Sequence, residues 1–121
     1  MDDTANNREL ALAVGRLLTD HKAEEPVVLD VGAVASWADY MIIATARSTV
    51  HAMGLIRTVD AFLSARAIRP IKARKKLSEN GWQLLDCGTF VVHVMLREQR
   101  DFYALEKLWF KAVVLDPLEV S

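Results

Sequence analysis

The sequence lacks several features that mark common classes of protein. It has one cysteine, Cys87, so no internal disulfide can form and nothing indicates an oxidising compartment. Its 15 basic and 16 acidic residues leave a formal charge of −1, which excludes a uniformly cationic nucleic-acid binder but allows a local basic patch. No apolar run approaches the ~20 residues that span a bilayer, and the acidic, polar N-terminus is unlike a signal peptide. We therefore expect a cytoplasmic protein without a membrane segment.

Motifs for catalysis and cofactor binding are also missing. The five glycines are scattered singly, so there is no glycine-rich phosphate loop, and no Asp-x-Asp pair offers a two-metal site. His21, His51 and His93 are not at metal-ligand spacing. Cys87 has no basic neighbour in the sequence and is interpreted as an unreactive turn thiol. We therefore predict no enzyme activity, no metal and no cofactor.

The chain does have enough apolar residues for one packed core, since 52% of its 121 residues are hydrophobic. We expect a single domain over residues 1–121, of the α/β (α+β) class, with a mixed β-sheet flanked by helices. The predicted elements are a helix over 6–22, strands over 27–31 and 40–46, a helix from Ser48 or Thr49 to near Ala67, a short strand at 69–71, a loop over 72–81, strands over 82–86 and 90–95, and a helix over 98–111.

Local signals support some of these boundaries. Asn6 followed by Glu9 predicts a capping box at the start of the first helix. The run at 40–46 does not alternate between apolar and polar residues, which indicates a strand buried on both faces. The dipeptide Cys87-Gly88 between two apolar runs predicts a hairpin turn. His93 shares a strand face with its apolar neighbours, which favours a histidine with a hydrogen-bond partner over a catalytic base.

Basic residues are concentrated in one short stretch of this nearly neutral chain. They are Arg69, Lys72, Arg74, Lys75 and Lys76. Two interpretations remain open: a solvated loop, or contact with the phosphates of RNA that does not depend on base sequence and weakens with salt.

The last predicted helix has aromatic residues on two sides. A helical wheel places four residues on the core-facing stripe: Phe102, Leu105, Leu108 and Trp109. Tyr103 and Phe110 lie seven positions apart and form a second apolar patch. A neighbouring loop or the C-terminal segment could cover this patch, or a partner protein could bind there, because tyrosine and tryptophan suit surfaces that are apolar and yet wet when free.

Five segments, taken in order, resemble one known family. They are "LDV" at 29–31, "ADYMIIATA" at 38–46, "RSTVHA" at 47–52, "WQLLDCGTFVVHVM" at 82–95 and "REQRDFYALEKLW" at 97–109. They belong to a match that runs from about Asn7 to Trp109, nearly the whole chain, and that is similar to the ribosomal silencing factor family, also called the Iojap-like family.

The resemblance implies a translational repressor without catalytic chemistry. Such a protein binds the large ribosomal subunit through large-subunit ribosomal protein fourteen, blocks joining of the small subunit, and lowers translation when nutrients are scarce. The implied fold is nucleotidyltransferase-like but without the catalytic carboxylates, which agrees with the missing Asp-x-Asp pair. Some members look homodimeric.

The resemblance also implies which residues contact the partner. Carried over by position, the candidates are Trp82, His93, Tyr103, Glu106 and Trp109. Because Trp109 also lies on the core-facing stripe, the alternative that it anchors the helix against the sheet stays open. Asp39, Tyr40, Asp86 and Gly88 are instead expected to shape strand ends and turns. The chain departs from the family pattern in the basic stretch before Trp82, which could contact ribosomal RNA or change dimerisation. Two alternative functions therefore stay open: a homodimeric RNA-binding adaptor that uses this basic stretch, and a degenerate nucleotidyltransferase.

Overall fold

The computed structural model describes residues 3–32, 39–68, 75–76, 82–103 and 113–115. In chain order, the helices and strands are α1 (Asp3–Asp20), β1 (Glu24–Asp30), β2 (Tyr40–Ala46), α2 (Thr49–Ser64), β3 (Lys75–Lys76), β4 (Gln83–Asp86), β5 (Phe90–Leu96), α3 (Arg97–Tyr103) and β6 (Val113–Leu115). The strands form one six-stranded sheet in the order β3-β4-β5-β2-β1-β6. β2 and β5 run parallel, whereas the other neighbours in this order run antiparallel. The predicted mixed sheet is therefore confirmed.

The two faces of the sheet carry different groups of apolar side chains. Because successive side chains of a strand point to opposite faces, Ile42 and Ile43 belong to different clusters. The larger cluster contains Ile42 and packs the sheet against α1 and α2. The smaller cluster contains Ile43, and Trp82 packs against it. Every residue of β2 is buried, as its continuous apolar run predicts.

Both long helices end at a residue in the left-handed conformation that is not glycine. At the end of α1, Lys22 has φ 72°, and the Ala23 N–H donates to the Leu18 carbonyl over 2.9 Å. At the end of α2, Ala67 has φ 61°, and the Ile68 N–H donates to the Leu63 carbonyl over 2.9 Å. These bonds define Schellman motifs, in which the chain reverses direction and satisfies free helical carbonyls.

The predicted ends of α1 are wrong by a few residues. The helix begins at Asp3, so Asn6 lies inside it and does not cap it, and it ends at Asp20 because Lys22 turns the chain. The predicted start of α2 is confirmed, since Ser48 has an extended backbone and its Oγ accepts a hydrogen bond from the His51 N–H over 3.0 Å.

Two strands differ from the prediction. Lys75–Lys76 forms β3 and pairs with Gln83 and Leu84, although this stretch was predicted as loop, because β4 offers an open edge for pairing. Val113–Leu115 forms β6 beside β1, where no strand was predicted, because an edge of β1 was available there too. The predicted strand at 69–71 and the part of the last helix beyond Tyr103 lie outside the described residues.

β1 begins earlier than predicted and contains an irregularity. Its pairing with β2 shifts between Glu24 and Val27, which marks a β-bulge, and Glu25 has φ 46°. Pro26 lies within this bulge, where a residue without an N–H does not interrupt the ladder. We call Glu24 to Val27 the β1 bulge. Val31, predicted as the last residue of the strand, follows β1 and is fully buried.

Candidate partner-binding site

Trp82 and His93 meet on the sheet face opposite α1 and α2. Trp82 immediately precedes β4, and His93 lies in β5 opposite Leu84. The Trp82 Nε1–H donates a hydrogen bond to His93 Nδ1 over 3.1 Å, and the two ring centroids are 5.9 Å apart. Below them lie Met41, Ile43 and Met95, each at most 3% exposed. The indole ring is therefore held by a polar contact and an apolar floor.

His93 is neutral in this arrangement. Its side chain is buried, and this burial lowers its pKa to about 4, since a charged imidazolium loses hydration there. Because Nδ1 accepts the hydrogen of Trp82, the ring proton lies on Nε2. The prediction of a histidine with a hydrogen-bond partner is thus confirmed. With 9% of its surface exposed, His93 offers little area to a partner, and its Nδ1 is already bonded to Trp82.

The structure places the other predicted interface residues to different extents. Tyr103 is the last residue of α3, and its backbone but not its side chain is described. Lys75 and Lys76 lie at the edge of the sheet, beside the strand that follows Trp82. The remaining predicted residues lie outside the described residues: Glu106, Trp109, Arg69, Lys72 and Arg74. Their roles stay predictions.

The residues expected to shape strand ends do so. Asp86 Oδ1 accepts a hydrogen bond from the Gly88 N–H over 2.9 Å in the turn between β4 and β5. Gly88 has φ 81°, a conformation that side chains with a Cβ rarely adopt. The Asp39 N–H donates to the Thr89 carbonyl over 2.7 Å, which ties the start of β2 to this turn. The predicted hairpin is therefore confirmed.

The described residues include no assembled catalytic centre. Burial, with smaller contributions from Asp86 and Asp60, raises the pKa of Cys87 to about 11, so its thiol is protonated at neutral pH. No group of three metal-ligating side chains occurs in the described ranges. Two carboxylates do lie close to Gly32: a Cβ added there would be 3.5 Å from an oxygen of Asp30 and 3.5 Å from an oxygen of Asp39. Among the residues that the structure describes, no helix is long and apolar enough to cross a membrane.

A groove of about 470 Å³ lies between α1 and α2, on the other side of the sheet from Trp82. The described residues that line it are Glu9, Leu10, Ala13, Arg16, Phe62, Arg66 and Ile68. The Arg66 guanidinium lies 3.7 Å from the centre of the Phe62 ring and donates to the Phe62 carbonyl. These lining residues provide no nucleophile paired with a base.

Arg100 belongs to the last of the segments that resemble the family, but the sequence assigned it no role. Its side chain is 4% exposed and donates hydrogen bonds to the backbone of the β1 bulge and to the Thr45 hydroxyl. Arg97, on the same helix, forms an exposed ion pair with Glu25. No spacing rule connects α3 with β1, so the local sequence carries no signal for these contacts.

Comparison with known proteins gives a consistent result. A family model described as "Ribosomal silencing factor during starvation" matches residues 4–120. A Treponema pallidum protein named "Ribosomal silencing factor RsfS" is 36% identical over 105 residues, which cover 86% of this chain and 93% of that protein. The chloroplast protein Iojap of Arabidopsis thaliana is 33% identical over 118 residues, covering 96% of this chain and 48% of that protein.

Two solved structures have the same fold. A crystal structure of a Chromobacterium violaceum protein superimposes with a TM-score of 0.78 at 30% identity, and the match covers 84% of each chain. A crystal structure from Bacillus halodurans gives a TM-score of 0.73 at 24% identity, covering 93% of this chain and 99% of that one. The mixed α/β architecture described above is thus shared with both.

Proposed function

The chain belongs to the ribosomal silencing factor family, and we propose that it represses translation by binding the large ribosomal subunit and blocking its association with the small subunit. The repression is steric: a small rigid domain occupies space that the other subunit needs. It acts by mass action, so its effect rises with the ratio of its concentration to its dissociation constant. We further propose that it acts in the cytoplasm when nutrients are limiting, and that it performs no chemistry.

The observation that supports this proposal is the orientation of Trp82 by His93. The indole is partly exposed, its N–H is already bonded over 3.1 Å, and its ring rests on buried methionine and isoleucine side chains. A held tryptophan of this kind binds a partner with little loss of side-chain entropy, and tryptophan is enriched among residues that dominate binding energy. An interface of roughly 800 Å² per partner around it is enough for specific binding.

The partner we propose is large-subunit ribosomal protein fourteen. The proposed contact surface combines Trp82 with Tyr103, Glu106 and Trp109, and His93 orients its first member. The described part of α3 supports this grouping because α3 follows directly on β5, the strand that carries His93. Tyr103 thus follows His93 by ten positions, with only the end of β5 and α3 between them.

The test is a sucrose-gradient assay with separated ribosomal subunits. Purified protein is added to large subunits before small ones, and the joined-ribosome peak is measured. We expect wild-type protein to sediment with large subunits and to reduce the joined peak. The double variant Trp82→Ala with Tyr103→Ala is expected to lose both effects while its thermal unfolding remains cooperative. Met53→Ala is the control, since Met53 is exposed on α2, on the other side of the sheet.

Either of two results would count against the proposal. Wild-type protein that stays at the top of the gradient would show that the family function does not apply to this chain. A folded double variant that still binds normally would show that the contact surface is wrong. Binding to isolated ribosomal protein fourteen, immobilised on a sensor chip, is measured in parallel. This second assay tests whether the proposed partner is correct, whereas the double variant tests whether the proposed contact surface is correct.

A second candidate function rests on the basic edge of the sheet. Lys75 and Lys76, the two described residues of the basic stretch, form β3 next to β4. One strand, β4, therefore separates them from His93, and they lie near Trp82. This position supports contact with ribosomal RNA beside the protein partner. The same position favours a homodimeric RNA-binding adaptor as the alternative function. Equilibrium sedimentation of the free protein would test whether it forms a dimer.

A further inference from the structure

Arg100 is a charged side chain in a buried position. It is 4% exposed, and its Nη1 donates to the Glu25 carbonyl, to the Glu24 carbonyl at 3.4 Å and to the Thr45 Oγ1 at 3.0 Å. Burying a guanidinium is costly unless its N–H groups are bonded. The charge is therefore accommodated because one arginine of α3 reaches acceptors on two strands of the sheet.

The acceptors are available because the backbone of β1 is irregular at this point. Glu25 has φ 46° although it is not glycine and although it precedes Pro26, a position that usually favours extended backbone. The bulge presents two successive carbonyls to the same guanidinium. A conformation of this kind persists where surrounding contacts stabilise it, and Arg100 provides such contacts.

The side chain of Glu25 is bound by the same helix. The two Arg97 amino groups donate to the two carboxylate oxygens of Glu25 over 2.9 and 3.3 Å. Both partners are exposed, so this pair contributes less than the buried contacts. α3 thus has two attachments to the β1 bulge, one exposed and one buried, and the chain offers a matched pair of arginines three positions apart.

We propose that Arg100 is a positioning residue for the ribosome-binding surface: it sets the place and direction of α3, and with them the path of the chain at Tyr103. This inference rests on the proposed function. Arginine suits the role because its rigid, planar guanidinium is more weakly hydrated than an ammonium and holds Nη1 in one direction toward all three acceptors, whereas the lysine ammonium is strongly hydrated and flexible. Arg100 acts through α3 and is not itself a contact residue, because almost none of its surface is exposed.

The test compares Arg100→Lys with Arg97→Met. Amide hydrogen exchange is measured along the chain, and affinity for purified large subunits is measured by sedimentation. In Arg100→Lys we expect the amides of α3 to lose protection about tenfold or more, while protection in β2 and β5 stays unchanged apart from Thr45. We also expect about tenfold weaker binding to large subunits, because the substitution disrupts several hydrogen bonds from a buried charged group. Arg97→Met should change each quantity less than about threefold.

A milder variant keeps the test decisive if Arg100→Lys does not fold. Thr45→Val removes one acceptor and retains the side-chain volume, so it should shift α3 exchange and affinity in the same direction by a smaller factor. A uniform loss of protection across all strands would indicate a purely structural role and overturn the proposal. So would weaker binding with unchanged α3 protection.

The failure of the proposed function gives a different result. If wild-type protein does not bind large subunits at all, the proposed function and the link between Arg100 and binding both fail. Normal affinity in Arg100→Lys together with loosened α3 would leave the proposed function standing and overturn the positioning role.

Discussion

The Trp82 indole N–H donates to His93 Nδ1 over 3.1 Å, and the two rings are inclined by 51°. The pair joins the residue before β4 to the middle of the adjacent strand β5. Because the accepting nitrogen must be unprotonated, the geometry of Trp82 depends on the charge of His93. The stability of this arrangement should therefore depend on pH.

We predict that stability falls as pH falls from 6.5 towards 4, and that His93 causes much of the fall. Burial lowers the pKa of His93 from 6.5 to about 4, so between these values the unfolded chain binds a proton that the folded chain does not. The stabilisation is thus fully present above pH 6.5 and is lost on acidification, by about 3 kcal/mol at most. Urea unfolding at several pH values measures this loss.

The control for this prediction is His93→Gln, whose amide oxygen can still accept from Trp82. Its stability should depend less steeply on pH between 6.5 and 4, although it retains every other titratable group. Equal slopes in wild-type and variant protein would contradict the assignment to His93.

Two glycines should respond to alanine in opposite ways. Gly88 has φ 81°, so Gly88→Ala should destabilise the protein by about 1 kcal/mol or more, because a Cβ disfavours left-handed backbone. Gly54 lies inside α2, and a Cβ added there meets no atom within 4 Å, so Gly54→Ala should stabilise by about 0.5–1 kcal/mol. Denaturant unfolding of both variants checks the signs, and a shared sign would refute the argument.

Cys87 should react slowly with alkylating agents while the protein is folded. Burial raises the pKa of its thiol from 9.0 to about 11, so little of the reactive thiolate is present at pH 8. Iodoacetamide should modify the folded protein roughly tenfold more slowly than the protein in urea, because the two-unit rise in pKa lowers the thiolate fraction about 100-fold while the more basic thiolate is about tenfold more nucleophilic. Mass spectrometry over time measures both rates. Similar rates would show that the thiol is more accessible and more acidic than its surroundings indicate.

Charge reversal at the edge of the sheet tests the contact with RNA. If Lys75 and Lys76 contact phosphates, replacing both with glutamate should weaken binding to large subunits and reduce its salt dependence by about 0.7–0.9 in logarithmic slope per lost contact. Arg8→Glu with Arg57→Glu makes the same change in net charge at exposed positions on α1 and α2, and should leave the slope unaltered.

A different outcome has its own physical meaning. Lysines on an edge strand commonly prevent pairing with other chains, and this role needs no RNA. If the lysine variant keeps its affinity and its salt slope but self-associates, the lysines serve to prevent pairing between sheet edges of different chains, and the RNA contact would be rejected.

Some elements could be predicted because their signals are local. The continuous apolar run at 40–46 predicted β2 with both faces buried, and Ser48 predicted the start of α2. The dipeptide Cys87-Gly88 predicted the turn between β4 and β5. In each case, the residues that determine the conformation are within a few positions of one another.

Other boundaries were missed because the usual residue types are absent. Glycine commonly marks the left-handed residue at a helix end, but here Lys22 and Ala67 take that conformation. The short strands β3 and β6 are also weakly marked, since each forms by pairing with an edge that the rest of the sheet provides. Such pairing depends on distant segments more than on the strand's own residues.

The sequence by itself determined the class of fold, the central strands, the hairpin and the family, because these depend on local pattern or on ordered motifs. Only the tertiary structure decided that His93 binds Trp82, that Arg100 reaches the β1 bulge and that Lys75 and Lys76 lie at a sheet edge. Arg100 and Thr45 are 55 positions apart. Contacts over such separations follow from how the sheet is ordered and how its faces are covered, and no local spacing encodes them.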